Sequence, residues 1–300
     1  MDSEIVIPKD KVHNFIVSSL EAVGLTPARG SLVADILVSA DYRGIYSHGV
    51  ILLDKYMDEI RSGVISLEDK EPTVIKESIG TALVDGHSLI GAYVARYCMD
   101  IAIRKAKVAG IGFVTCRGAN HFGMAGWYSM YAMEQGFVGI ALCNTNPRMV
   151  PTRGTRPTLG TNPISIAAPG NDGDSFILDM ATTVVAAGKL KIMASRHSIL
   201  PANMIVDVNG HESRNYKDFN GVFPVGGREE TGGYKGFGLA MMIDILSGIL
   251  SGAEFGPNCK GAGNLGLGFI AIDPNQFEDG FTNRMQCLID ACRNQPPVCY

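Results

Sequence analysis

After residue 72 the sequence alternates regularly between helical and strand-like apolar patterns, and few folds accommodate that order. Residues 92–109 have the apolar spacing of a helix, and a β-branched run at 111–116 follows at once. The same order recurs at 126–135 and 137–143. Further strands are predicted at 73–76, 81–85, 164–168, 175–179 and 268–272, and further helices at 182–194, 236–250 and 281–293. This alternation predicts an α/β fold with helices covering a sheet.

The first seventy residues have a purely helical pattern and predict a small N-terminal helical domain. Apolar residues keep helical spacing from Val12 to Val23, and Gly24 ends that segment. Thr26 is then a predicted N-cap, with Pro27 at the first helical position. A third helix is expected to turn its apolar side inward, with Leu52, Leu53, Tyr56, Met57 and Ile60 on that side. We therefore predict a helical cap domain over 1–70 and a catalytic domain over 71–300.

The composition of the 300 residues indicates a folded protein with an ample core. Hydrophobic residues make up 46% and charged residues 19%, and the formal net charge is −4. That charge gives no electrostatic reason to bind nucleic acid or an anionic membrane. No apolar run reaches the roughly eighteen residues of a membrane helix. The acidic start, Met1-Asp2-Ser3-Glu4, lacks the pattern of a signal peptide, so we expect a soluble cytoplasmic protein.

The cysteines and histidines do not predict a metal centre. None of the seven cysteines forms a C-x-x-C pair, which indicates reduced thiols in a cytosolic protein. The six histidines show neither H-x-H nor H-E-x-x-H spacing, so no metal is expected. Four of them lie in helical, turn or polar segments that we interpret as surface: His13, His87, His197 and His211.

Three polar loops, each bordered by apolar runs, contain the residues best suited to bind a ligand. They are 118–123, 144–147 and 159–163, and the first contains His121. Such loops let backbone N–H groups and small polar side chains converge on a polar ligand, and a histidine can move a proton near neutral pH. Gly, Asn and Pro are also ordinary turn formers, which is the alternative interpretation. Three such loops in so short a stretch favour a site.

These loops and several other segments resemble the type 2 malate/L-lactate dehydrogenase family, which also includes ureidoglycolate and sulfolactate dehydrogenases. The resemblance extends over almost the whole chain, in matching order and rough spacing. The segments that carry it are 43–44, 47–50, 120–126, 159–163, 179–182, 188–189 and 233–239. It implies an oxidoreductase that transfers a hydride between NAD or NADP and a small 2-hydroxy acid such as malate or lactate. It also implies a homodimer.

The glycine pattern bears on how a nucleotide could bind. A Rossmann fingerprint places G-x-G-x-x-G between a strand and a helix, whereas Gly110-Ile111-Gly112 and Gly266-Leu267-Gly268 both lead into strands. The resemblance implies instead a non-Rossmann mixed sheet. The segment 232–238 opens a helix whose free N–H groups suit a diphosphate, and close packing is the alternative reason for its glycines. By resemblance, the cofactor contacts are Thr145, Asp179, Met180, Ala181 and Lys235.

Two histidines in glycine-bounded loops are the candidates for proton transfer. Oxidation of a hydroxy acid needs a base for the hydroxyl proton, and His48 and His121 suit that role. The resemblance implies that His121 exchanges the proton and that His48 hydrogen-bonds the substrate. The substrate pocket that it implies contains Ser47, His48, Thr161 and Asn162.

The chain also departs from the family pattern. Leu52 stands where the family has an arginine that binds the substrate carboxylate, and Arg148 and Arg153 are candidate replacements. Family members carry a tryptophan in the segment where this chain has Pro-Ala-Asn-Met at 201–204, and they extend further past residue 293. The alternative hypothesis is therefore a degenerate, non-catalytic paralogue that retains the fold.

Overall fold

The computed structural model describes residues 6–196 and 199–298, so His197 and Cys299 lie outside the described residues. Its N-terminal part is helical, as predicted. The helices are α1 (Lys9–Glu21), α2 (Pro27–Tyr42) and α3 (Leu53–Arg61), with short 3-10 turns at Tyr46–His48 and Val50–Leu52. Gly24 follows α1 with φ 95°, a left-handed conformation that favours glycine, and Pro27 is the first residue of α2.

Seven strands form one mixed sheet, which confirms the predicted α/β class. The strands are β1 (Thr73–Glu77), β2 (Thr81–Asp85), β3 (Ile111–Ala119), β4 (Val138–Cys143), β5 (Ile164–Pro169), β6 (Ser175–Met180) and β10 (Leu265–Ile272). Their order across the sheet is β1-β2-β3-β10-β4-β5-β6. The pair β2 and β3 is parallel, and the other neighbouring pairs are antiparallel.

This strand order brings four loop segments, two of them the ends of the β4–β5 connection, to one edge of the sheet. Strands β3 and β4 are both antiparallel to β10, so they run in the same direction and end at the same edge. Strand β5 is antiparallel to β4 and β6 is antiparallel to β5, so β5 begins and β6 ends at that edge as well. The loop of His121 after β3, Thr145 after β4, Thr161 before β5 and the residues at the end of β6 are therefore neighbours.

Within the described part of the chain, five helices accompany the sheet. They are α4 (Gly91–Ala109), α5 (Ala125–Met133), α6 (Ala187–Arg196), α7 (Gly233–Asp244) and α8 (Phe281–Arg293), and a π-helical turn at Ile245–Ile249 continues α7.

Helix α6 begins at Ala187, later than the predicted start at residue 182. The Thr182 hydroxyl donates to the Thr161 and Asn162 carbonyl oxygens, at 3.1 and 3.0 Å, so this residue belongs to the loop cluster.

The polar stretch that follows α6 contains a second, smaller sheet that the sequence pattern does not predict. Its strands, β7 (Ile205–Val206), β8 (Glu212–Ser213) and β9 (Gly221–Val222), pair antiparallel in the order β8-β7-β9. Ile205 and Val222 pack with Leu190 and Leu200 in a small apolar cluster. Strands of two residues are too short to show an alternating pattern, which explains why the sequence indicated only a surface segment.

The N-terminal helices and the large sheet share one apolar core. Ile16, Leu37 and Tyr56 belong to the same buried cluster as Val114 of β3 and Phe269 of β10. The division at residue 70 stays a prediction, because this shared core neither requires nor excludes separate folding units. No helix among the described residues is long and apolar enough to cross a bilayer.

Gly139 lies on β4 where helix α5 packs closely against the strand. A Cβ atom there would lie 2.3 Å from the Ser129 carbonyl oxygen and 2.8 Å from the Ala132 Cβ. We expect Gly139→Ala to lower the free energy of unfolding by about 1–3 kcal/mol, because overpacking displaces the helix. Gly30→Ala on α2 is the control, since its Cβ would meet atoms at 3.8–3.9 Å and alanine favours a helix. Urea unfolding measures both variants, and equal stabilities would contradict the expectation.

Candidate active site

A cavity of about 240 Å³ opens at the sheet edge where these loop segments meet. It brings together most of the residues that the sequence analysis selected. The predicted catalytic residues His121 and His48 line it, as do Ser47 and Thr161 from the predicted substrate set and Thr145, Asp179, Met180 and Ala181 from the predicted cofactor set. Asn162 and Lys235 are not among its lining residues. Segments more than a hundred residues apart in sequence therefore form one site.

His121 is held from the side of helix α3 by a tyrosine. The Tyr56 hydroxyl lies 2.7 Å from His121 Nδ1, and the Gly123 backbone nitrogen lies 3.3 Å from the same atom. Because Nδ1 is engaged in this way, Nε2 is the nitrogen available to a ligand. In the neutral tautomer that can accept a proton at Nε2, Nδ1 carries the hydrogen and donates it to the Tyr56 oxygen, and this bond remains once Nε2 is protonated.

The two candidate histidines form a pair. Their rings are stacked with centroids 5.7 Å apart, and His48 Nδ1 lies 2.9 Å from the Ser47 hydroxyl. Burial lowers the pKa of His121 well below its ordinary 6.5, and the charges of Lys55 and His48 lower it further. Burial and then Lys55 likewise lower the pKa of His48. Both imidazoles are therefore neutral near pH 7, which is the state that a proton acceptor requires.

The two loops that bring Thr145 and Thr161 to the cavity are held together by their own hydrogen bonds. The Thr161 N–H donates to Thr145 Oγ1 at 2.9 Å, and the two threonine hydroxyls lie 3.3 Å apart. Asn162 is fully buried; its Oδ1 accepts from the Thr145 N–H, and its Nδ2 donates to the Ala240 carbonyl oxygen, both at 3.0 Å. The Asn162 side chain thus joins two loops to α7, and this geometry gives it no direct access to the cavity.

Asp179 connects the end of β6 to the start of α5. Its Oδ2 accepts a hydrogen bond from the Gly126 N–H at 2.8 Å, in the first turn of that helix. Burial raises the pKa of this carboxyl, and the Gly126 hydrogen bond opposes the rise. Gly126 is required here for space, because a Cβ atom would come 2.7 Å from the same carboxyl oxygen. Asp179 therefore fixes the Met180-Ala181 backbone at the cavity wall.

Lys235 lies in the first turn of α7 and is exposed. The glycines beside it are explained by close packing: a Cβ atom on Gly233 would come 1.9 Å from the Gly227 carbonyl oxygen. The same holds for Gly236, whose Cβ would come 2.2 Å from the Val225 carbonyl oxygen. Packing thus accounts for these two glycines, and the nucleotide role of Lys235 stays a prediction.

Neither arginine proposed from the sequence as a replacement at position 52 lies at the cavity. Arg153 makes a bidentate ion pair with Glu229, at 2.8 and 2.6 Å, beside a different surface hollow. Arg148 is exposed and also lies outside the cavity lining. Leu52 itself packs against the main apolar core.

Tyr56 is the site residue whose role the sequence analysis missed. The apolar spacing predicts Tyr56 on the inward side of α3, and the residue is indeed buried. A buried tyrosine hydroxyl needs a hydrogen-bond partner, and that requirement was the available signal. Its partner, His121, lies 65 residues further along the chain.

A family model described as malate/L-lactate dehydrogenase matches residues 7–299. The chain belongs to this family. A malate dehydrogenase from Pyrococcus abyssi is 40% identical to it, over 98% of this chain and 83% of the relative. A ureidoglycolate dehydrogenase (NAD(+)) from Escherichia coli is 35% identical, over 90% and 78%. A (2R)-3-sulfolactate dehydrogenase (NADP(+)) from Chromohalobacter salexigens is 30% identical, over 96% and 87%.

Solved structures confirm the fold. The malate dehydrogenase from Pyrococcus horikoshii superposes with a TM-score of 0.89 at 38% identity, covering 98% of this chain and 83% of that one. The sulfolactate dehydrogenase from Methanocaldococcus jannaschii superposes with a TM-score of 0.90 at 35% identity, covering 98% and 86%. The mixed sheet and its helices are therefore shared with dehydrogenases of this family.

Proposed function

We propose that this protein is an NAD- or NADP-dependent oxidoreductase acting on a small 2-hydroxy acid, with His121 as the residue that exchanges the hydroxyl proton. The observation that carries the proposal is the buried, neutral His121, bonded to Tyr56 and stacked on His48 in a cavity between the loops. The relatives named above act on malate, sulfolactate or ureidoglycolate by their names, so the class of substrate is supported and its identity is left to experiment.

The cavity fits the reactants of such a step. Phe122, Met124 and Met180 supply apolar walls suited to a flat nicotinamide ring, and the histidines and threonines supply a polar wall. Bound NAD(+) or NADP(+) supplies the acceptor for the hydride that leaves the carbon bearing the hydroxyl group. His121 Nε2 accepts the hydroxyl proton, and Tyr56 keeps the imidazole oriented while its charge changes. His48, Ser47 and Thr161 orient the substrate, and the product is a 2-oxo acid.

The proposal is tested by binding and turnover measured separately. Trp127, the single tryptophan, lies on α5 beside the cavity residues Met124 and Ala125, so nucleotide binding should quench its fluorescence. Titration with NADH and with NADPH identifies the cofactor. Malate, lactate, sulfolactate and ureidoglycolate are then assayed with the oxidised cofactor. Nucleotide binding without turnover of any hydroxy acid would favour the non-catalytic paralogue, which Leu52 also favours.

We expect Lys235→Ala to weaken nucleotide binding by about tenfold or more, because a hydrogen-bonded charge facing a phosphate would be lost. The helix start adds a partial positive charge that remains in the variant. Lys107→Ala, an exposed lysine on α4, is the control and should leave the dissociation constant unchanged. Tryptophan quenching measures both. An unchanged dissociation constant for Lys235→Ala would remove the start of α7 from the cofactor site.

An exposed apolar face on α7 and its π-helical continuation supports the predicted homodimer. Met241, Met242, Ile245, Ile249 and Leu250 are all exposed there. Monomers rarely leave such a continuous apolar face in water, and a second copy of the chain is the occupant that we propose. Sedimentation equilibrium of the purified protein gives its mass directly.

The cysteines among the described residues are free thiols, which supports the predicted cytoplasmic location.

A further inference from the structure

The His48 turn, residues 46–52, has little structure of its own. It consists of two 3-10 turns, Tyr46–His48 and Val50–Leu52, joined at Gly49. Turns this short are weakly stable by themselves, because few backbone hydrogen bonds close them. The residues that precede the two turns, Ile45 and Gly49, make no side-chain capping bond. Contacts from another element therefore have to hold His48 in place.

Asp41, near the end of α2, supplies a cap for the second of these turns. Its Oδ2 accepts a hydrogen bond from the Val50 N–H at 2.8 Å, at the first residue of that turn. The first N–H groups of a helical turn have no partner within it, and aspartate is one of the preferred acceptors for them. The acceptor lies nine residues earlier in the chain, so this bond ties the His48 turn to α2.

Gly49 gives independent evidence that the Asp41 carboxyl lies directly against the His48 turn. A Cβ atom on Gly49 would fall 1.7 Å from Asp41 Oδ1 and 2.5 Å from Oδ2, so a side chain there would displace the carboxyl. The φ of Gly49 is −90°, outside the left-handed region that favours glycine. Space therefore requires the glycine that follows His48, and Asp41 occupies that space.

Helix α2 also contacts the loop of the other histidine. Ile36 is buried on this helix, and a Cβ atom on Gly123 would come 2.5 Å from Ile36 Cγ2. Gly123 belongs to the loop of His121, and its backbone nitrogen lies 3.3 Å from His121 Nδ1. One helix therefore contacts both histidine loops, through Ile36 at one and Asp41 at the other.

We propose that Asp41 is a positioning residue: its carboxylate holds the His48 turn on α2 and so keeps His48 stacked on His121, where both can contact one substrate. The inference rests on the proposed function and adds the group that fixes the relative position of the two histidines. Asp41 does not line the cavity, so it acts through His48. Loosening the turn should impair use of the substrate and spare the nucleotide, whose predicted contacts lie at the ends of β4 and β6 and on α7.

The first test removes the acceptor and then restores it. Asp41→Ala should lower kcat/KM for the hydroxy acid by about tenfold or more, because a hydrogen bond to a charged group is lost, and should leave the dissociation constant of NADH or NADPH unchanged. Asp41→Asn should retain most of kcat/KM, since its amide oxygen can accept the same bond. Asp207→Ala is the matched control. Asp207 also accepts backbone N–H bonds in a turn, from Asn209 and His211, and lies outside the cavity lining.

A double-mutant cycle tests the close contact itself. Gly49→Ala alone should lower kcat/KM by about tenfold or more, because the added methyl group displaces the Asp41 carboxyl. In the Asp41→Ala background the same methyl group has room, so its additional effect should be much smaller. The double variant keeps this comparison available if Gly49→Ala alone folds poorly. Equal effects of Gly49→Ala in both backgrounds would overturn the inference.

Hydrogen exchange separates this inference from the proposed function, because it needs no turnover. Deuterium uptake over residues 46–52 should be faster in Asp41→Ala than in the wild type, and uptake over β10 should be unchanged. Unchanged uptake over residues 46–52, or faster uptake with unchanged kcat/KM, would overturn the inference and leave the proposed function standing. Faster uptake in a protein that turns over no hydroxy acid would overturn the proposed function and support the role of Asp41 in holding the turn.

Discussion

Replacing His121 with asparagine should lower kcat by about 10²–10⁴, the loss expected when a general base is removed, and leave nucleotide affinity nearly intact. Asparagine is suited to this test because its amide reaches the position of Nδ1, where it can still bond the Tyr56 hydroxyl, and lacks an equivalent of Nε2. Steady-state oxidation rates and tryptophan quenching by NADH measure the two quantities separately. Urea unfolding checks that the buried site remains packed.

His87→Asn is the control for this variant. His87 has φ 53°, a conformation that asparagine tolerates, and its Nε2 lies 2.8 Å from the Thr73 hydroxyl, outside the cavity. It should leave kcat unchanged. Equal losses of nucleotide binding and turnover in His121→Asn would show that His121 is structural.

The wild-type pH profile tests the same assignment. The neutral imidazole is the active form for oxidation, and it is present above the folded-state pKa. Burial places that pKa below 6.5 in the free protein, so kcat/KM should stay level as the pH falls through 6.5 and should decline only at lower pH. A decline centred above 6.5 would contradict the burial argument.

Leu52→Arg should raise kcat/KM for malate by about 10- to 100-fold, because a guanidinium binds a carboxylate through two parallel hydrogen bonds. Lactate should gain less. If another group already binds the carboxylate next to the hydroxyl group, the added arginine finds a second carboxylate only in malate. The ratio of kcat/KM for malate to kcat/KM for lactate is therefore the most discriminating measurement.

Leu52→Met is the control, because it alters the packing of position 52 against the core without adding charge. Unfolding curves show how much stability the arginine variant loses. A fall in activity on both acids would mean that the added cation repels one already in place. If neither the wild-type protein nor Leu52→Arg turns over malate or lactate, the non-catalytic paralogue is the better hypothesis.

The local elements of the fold could be predicted from the sequence because they depend on nearby residues. Helix α8, predicted at 281–293, is observed over Phe281–Arg293, since its apolar spacing is complete within the segment. Helix α6 was predicted to start at 182, and it starts at Ala187 because Thr182 bonds to a loop twenty residues earlier. The small sheet of β7, β8 and β9 was missed, because its strands pair through tertiary contacts that two residues cannot encode.

The sequence by itself determined which residues could do chemistry at this site: the polar loops at 118–123, 144–147 and 159–163 are local patterns of turn formers and a histidine. Only the tertiary structure decided how they meet. Strand β10, far along the chain, inserts between β3 and β4 and so makes their ends neighbours. The Tyr56–His121 bond likewise depends on how helix α3 packs against the sheet domain. Such contacts join residues distant in sequence, so their free energy has no signature in any one segment.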